Sequence, residues 1–556
     1  MSTMELLQPV DNAFRDCLDL NGQWFFAFDP AKDKSYESGV ARDISVPVPA
    51  ALQDVFVLPE ERAYCGTMWY ERQVFIPKRW LGSDVFLRFD RIGNRAVVYV
   101  NGIEAGRHEG IYTSSSLNVT RQLRYGEDNR IVVKVNNELS PYALPAGQVI
   151  TSPKGQRVNQ PHFNFSVPTG IYGGVSLYTV PTTRLTDVMV QTVSITKEQA
   201  VLQYMAHVQG NCLVTATLRT RDGRIIATGV GGNAKLVIDN PQIWSIGHGY
   251  LYNLELEVSR LGKQHDSYSF KVGIRTVEVD GGNFKLNGEM TRLKGLLWSK
   301  AHGDTLVMSP AQIKQRMLQI LSLGGNCIYS GARPLSPQVL AMADECGLLV
   351  IGEIPGAGLL SKDLKPGDAN FNKIDIKSRL LEAHKETIQD LIRRDKNHPS
   401  IITWSLLYNP VTTLKDDEAY YQALVDTAKE ADWEGRPMSI TVSHVMNTMW
   451  LNTLNAYAMI ILTRWANDWQ RPAELLQSQI YKELVDWEAK HPEKAIAVFL
   501  NTEVCTDQNS YAVYKEQADK LKALLFMLHT MPNAQGEFLQ ISDSALNDTL
   551  KEGWNS

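Results

Sequence analysis

Between Pro399 and Pro410 the chain carries Ile401-Ile402-Thr403-Trp404-Ser405-Leu406-Leu407. A polar turn leads into this short apolar run and Pro410 stops it. A run that opens on β-branched residues and is bounded in this way reads as a buried strand of a parallel sheet. The next two residues, Tyr408 and Asn409, then fall at the C-terminal mouth of the sheet, where barrel folds place their chemistry.

A parallel sheet needs helical crossovers, and the sequence supplies them from Thr276 onward. A helix over Ser309–Leu323, with Pro310 in its first turn, is followed by the strand Asn326–Tyr329. The helix Pro337–Cys346 comes next, then the strand Leu348–Ile351. Strands alternating with helices argue for βα units. The order continues through Ser439–Val442 and Ala495–Leu500 to a last strand, Glu537–Gln540.

Before Thr276 the rhythm is strand upon strand. Residues 1–182 alternate short β-branched runs with turns such as Asn21-Gly22 and Asn101-Gly102, which suits a sandwich or jelly roll. Residues 183–274 repeat that rhythm over the length of one immunoglobulin-like sandwich. A chain of 556 residues with 44% hydrophobic content can bury several such cores.

The formal charge of −5, with both signs interspersed, argues against nucleic acid or an anionic membrane as a partner. Residues 1–19 carry Asp11, Arg15, Asp16 and Asp19 with no apolar core of a signal peptide, and no apolar run is long enough to span a bilayer. The six cysteines are scattered without a CxxC pair, so no metal site or cofactor is expected. The expectation is a soluble intracellular protein.

The segment Arg394-Asp395-Lys396-Asn397-His398-Pro399-Ser400 with Trp404-Ser405 and Tyr408-Asn409-Pro410 resembles the signature of the β-glucuronidase branch of glycoside hydrolase family 2. Leu20-Asn21-Gly22-x-Trp24, Trp69-Tyr70-Glu71-Arg72, Val100-Asn101-Gly102 and Asn136-Asn137-Glu138 are similar to that family's sugar-binding-type jelly roll. The resemblance implies a multidomain β plus α/β chain. It would comprise a jelly-roll β-sandwich (1–182), an immunoglobulin-like β-sandwich (183–274) and a (β/α)8 TIM-type barrel (275–556). The last barrel unit is expected to be incomplete, because nothing after Gln540 matches the family's closing loop with its Asn-x-Lys element.

Family members are retaining glycosidases, which need a nucleophile and an acid/base carboxyl about 5–5.5 Å apart. By resemblance Glu503, in Asn501-Thr502-Glu503, holds the nucleophile position. Asn409 holds the acid/base position, where the family has Glu. A simpler reading of Glu503 is a carboxylate satisfied by its own neighbourhood.

The other substrate-site positions are replaced as well. Asn164 stands for an Asp, Ser299 for a His, Tyr329 for the Arg that orients the nucleophile and Ala332 for a His. Tyr408 stands for an Asn, Tyr457 belongs to a reduced Asn-x-Tyr-Tyr-Gly element, and Gln540 stands for a Trp. An amide cannot supply a proton near neutrality, and acid/base assistance alone is worth about 10²–10⁴-fold. The expectation is a β-glucuronidase-like homologue that has lost hydrolysis and serves a binding, structural or assembly role. It would hold a carbohydrate or a protein partner and self-associate. The alternatives are a residual retaining glycosidase that uses Glu503 on activated glycosides, and a non-hydrolytic carbohydrate-binding protein.

Overall fold

The computed structural model describes residues 7–30, 36, 39–40, 42, 44–161, 167–298, 307–331, 333–355, 374–408, 418–442, 457–464, 473–501, 511–531 and 534–540. Its first unit is a two-sheet β-sandwich. The six-stranded sheet runs Ile44–Val48, Gly22–Asp29, Thr67–Phe75, Asp128–Asn136, Arg95–Val100, Ile103–Glu109. The facing four-stranded sheet runs Cys17–Asp19, Val175–Val180, Asp84–Phe89, Ser115–Asn118. Trp24, Phe26, Leu87 and Val133 lie in the core between them. The second unit packs a three-stranded sheet on a four-stranded one. The alternation in Leu213–Arg219 shows why: Val214, Ala216 and Leu218 are buried while their neighbours face outward.

The third unit is a closed barrel of eight parallel strands: β1 (Leu293–Leu297), β2 (Cys327–Tyr329), β3 (Leu349–Glu353), β4 (Ile401–Tyr408), β5 (Met438–Val442), β6 (Met459–Arg464), β7 (Ala495–Asn501) and β8 (Ala534–Gln540). Six helices accompany them among the described residues: α1 (Pro310–Ser322), α2 (Pro337–Cys346), α3 (Ile374–Asp395), α4 (Glu418–Ala431), α5 (Ala473–Glu488) and α6 (Tyr511–Thr530). Local chemistry starts α1 and α2 where the sequence places them. Ser309 and Ser336 cap their N-termini, each followed by proline at the first helical position, and Gly347 ends α2 in a left-handed turn.

The expected incompleteness does not extend to the strands. β8 pairs with β1 from Leu293–Gly536 to Leu296–Leu539, so the ring closes. Residues 541–556, where the family's closing loop would begin, lie outside the described residues.

The N-terminal end of the barrel is plugged. Trp244 and the hairpin residues Phe284 and Leu286 share one buried cluster with Leu293, Leu349, Met459 and Ala495, all first residues of their strands. The C-terminal end is therefore where a cleft can lie. Among the described residues no helix is long and apolar enough to cross a membrane.

Candidate active site

Three of the strands end at this mouth on buried polar side chains: Tyr329 on β2, Glu353 on β3 and Tyr408 on β4. Tyr329 is fully enclosed. Its ring centroid lies 5.1 Å from that of Phe499 on β7 and 5.2 Å from that of Phe538 on β8. Gly295 on β1 makes room for this stack, since any Cβ there would collide with the Phe538 ring. The Tyr329 hydroxyl lies 3.4 Å from Thr441 Oγ1, which in turn lies 3.5 Å from Ser405 Oγ. A chain of neutral hydroxyls thus crosses the barrel interior from β2 through β5 to β4.

Burial, then the Glu353 carboxylate, then Tyr408 hold the Tyr329 phenol well above its ordinary range. Burial and Glu353 also raise Tyr408, against the opposing pull of Arg333. Both phenols keep their protons at neutral pH, so they can donate or accept hydrogen bonds but carry no charge. Among the described residues, Glu353 is the charged group that both tyrosines sense in common.

Ser405 and Thr441 are candidate site residues that sequence reasoning passed over. The available signal was their polarity within otherwise apolar strands. That signal is obscured because the whole of Ile401–Tyr408 is buried, so no alternation marks an inward face. Strand register decides instead. Irregularities between Val350 and Ile351, and between Ser405 and Leu407, shift which residues share a face.

Tyr457 does not belong to this site. It precedes β6 and therefore sits at the opposite end of the barrel, where the Lys494 ammonium lies 3.8 Å from the centroid of its ring. In a parallel barrel the residues just before a strand lie at its N-terminal end, so Tyr457 and Ala458 do not line the mouth, while Asn455 and Ala456 lie outside the described residues. Asn164, Ser299, Ala332, Asn409 and Glu503 lie outside the described residues, and of Gln540 only its place as the last residue of β8 is described. Among the described residues no cluster of three or more His, Cys, Asp or Glu side chains could hold a metal ion.

The segment Arg394–Ser400 has a different task from chemistry. Arg394 donates to the backbone oxygens of Tyr112 and Leu335 and pairs with Asp395. Lys396 pairs with Asp187, and Asn397 exchanges hydrogen bonds with the backbone of Val188 and Val190. His398 and the backbone N–H of Ser400 both bind Asp344 of α2. The segment ties the barrel to both β-sandwiches.

Comparison with known proteins agrees with this architecture along almost the whole chain. The models for the glycosyl hydrolases family 2 sugar binding domain, the glycosyl hydrolases family 2 domain and the glycosyl hydrolases family 2 TIM barrel domain match residues 17–181, 183–275 and 277–523. The chain is similar to the beta-glucuronidase of Paenibacillus borealis, 30% identical over 505 residues, covering 87% of this chain and 82% of that protein. It is 29% identical over 535 residues to the human beta-glucuronidase, covering 88% and 78%. The apo structure of the Ruminococcus gnavus enzyme superposes with a TM-score of 0.91 at 25% identity, covering 99% of both chains. The chain belongs to glycosyl hydrolase family 2, in its β-glucuronidase branch.

Proposed function

We propose that this β-glucuronidase-like chain no longer hydrolyses glucuronides and has been kept for binding or assembly. The observation that carries this reading is Tyr329. The resemblance assigns its position to an arginine that orients the nucleophile. Here a neutral phenol fills it, wedged between Phe499 and Phe538 and joined to a run of hydroxyls. A positioned cation contributes to catalysis by fixing and stabilising charge in a site that excludes water, and a neutral phenol in a packed stack supplies neither the charge nor the freedom to move. Asn409 in the acid/base position removes a further factor of about 10²–10⁴.

The test is turnover of aryl β-glycosides with good leaving groups, the glucuronide included, with and without azide. Azide replaces the water that a missing base would have activated, so it exposes any surviving nucleophile. The expected traces are flat under every condition. Azide-dependent turnover that disappears in Glu503→Gln would overturn the proposal and identify a residual retaining glycosidase. Saturable glycoside binding without turnover would place the retained role in carbohydrate binding.

A further inference from the structure

A cavity of about 340 Å³ lies where the second sandwich meets the barrel, within the range of about 300–1,000 Å³ that small-molecule sites occupy. The sandwich lends it Leu251, Tyr268 and Phe270. The barrel lends Ala341 of α2, Arg393 in the last turn of α3 and His398 in the turn before β4. None of Tyr329, Glu353 or Tyr408 lines it, so it is separate from the barrel mouth.

One side of the wall is apolar. Tyr268 and Phe270 stand two residues apart on one strand and so point the same way, with ring centroids 5.9 Å apart. Tyr268 is buried, whereas Phe270 keeps part of its ring open, and Ala341 faces outward from α2.

The charges around the cavity are paired, with one exception. Lys271 binds Glu345 at 2.5 Å, Lys396 binds Asp187 at 2.6 Å and Arg394 binds Asp395 at 2.7 Å. Asp344 accepts from His398 Nδ1 and from the Ser400 N–H. Arg393 makes no hydrogen bond and no ion pair among the described residues. Asp390, one turn back on α3, senses its charge without pairing with it. The Arg393 side chain is partly exposed, so a ligand in the cavity can reach it. Arg393 also opposes the charge on Lys396, a repulsion that an incoming anion would offset. The other ring nitrogen of His398, Nε2, has no partner among the described residues, and that side chain is 21% exposed.

We propose that this cavity is a binding site for a small organic carboxylate, its apolar body lying on Phe270 and Ala341 and its carboxylate on Arg393. A planar guanidinium offers a carboxylate two parallel hydrogen bonds, and the apolar body gains by leaving water. His398 Nε2 adds a polar contact within the lining. A ligand seated there touches both the second sandwich and the barrel. The site does not depend on whether the barrel mouth hydrolyses anything.

The experiment is calorimetric titration of the full chain with sodium 4-phenylbutyrate and with sodium octanoate, each set against its own neutral alcohol at constant ionic strength. At least one carboxylate saturates at one site per chain, and the tighter of the two shows whether the body is aromatic or aliphatic. Its alcohol binds about tenfold more weakly or worse, the scale of a hydrogen bond to a charged group, and Arg393→Gln weakens the carboxylate by the same factor. The comparison with the alcohol needs no variant, so it decides the matter if Arg393→Gln fails to fold. Ala341→Trp fills the cavity from α2 and abolishes binding, which separates this site from the barrel mouth. Saturation by neither carboxylate, an alcohol that binds as tightly as its acid, or binding that Arg393→Gln or Ala341→Trp leaves unchanged would overturn the proposal.

Discussion

The Lys396 ammonium lies 2.6 and 2.7 Å from the two carboxylate oxygens of Asp187, joining the turn before β4 to the first strand of the second sandwich. Both side chains are almost fully enclosed, at 5% and 13% exposure. A buried pair of this kind adds little net stability over an apolar contact. Breaking it from one side leaves a charge stranded out of water.

Lys396→Ala is accordingly expected to lower the stability of the folded chain by about 3–5 kcal/mol. Asp187→Ala made in the same chain recovers part of that loss, because no unpaired carboxylate remains. Urea denaturation of the two single variants and the double variant measures this as a coupling energy. Strict additivity would contradict the pairing.

His398 Nδ1 donates to Asp344 Oδ2 at 2.5 Å. Burial pulls the imidazole down, but the Asp344 charge and this hydrogen bond outweigh it, and the net shift is upward. The folded protein then binds the proton more tightly than the unfolded chain. Its contribution to stability is complete below about pH 6.5, the unfolded value, and is lost as pH rises through the raised folded value. The Tm difference between wild type and His398→Gln is expected to be largest near pH 5–6 and to shrink toward pH 9. A difference that grows with pH would refute the assignment.

Gly295→Ala forces a methyl group against the Phe538 ring that supports Tyr329. Overpacking of this kind costs about 1–3 kcal/mol. The loss is expected as a lowered denaturation midpoint, accompanied by a changed aromatic signal in near-ultraviolet circular dichroism.

On the function proposed above, in which Asn409 stands in the acid/base position, a carboxyl group there alone is not expected to give hydrolysis. Asn409→Glu returns a proton donor, but Tyr329 remains neutral and packed in its aromatic stack. Aryl β-glucuronide turnover by this variant is expected to stay at the level of the enzyme-free blank. Turnover well above it would mean that Asn409 alone separates the chain from an active enzyme.

Much of the fold is legible from local pattern. Proline and serine at the starts of α1 and α2, the alternation in Leu213–Arg219 and the bounded run at Ile401 all declare their structures through interactions among near neighbours. The site was legible only in part. Tyr329 and Tyr408 could be placed at strand ends by their position in the sequence, whereas Tyr457, read into the cleft, lies at the other end of the barrel because it comes before its strand.

Motif resemblance suffices for the family, and short-range periodicity for the β-then-βα order of the chain. Which side chains meet is settled only in the folded chain. Strand register turned Ser405 and Thr441 toward Tyr329. Domain docking made Arg394–Ser400 a clamp and brought Phe270 and Arg393, 123 positions apart, to one cavity. Contacts of that range depend on closing the barrel and seating the sandwiches against it, and no local pattern encodes them.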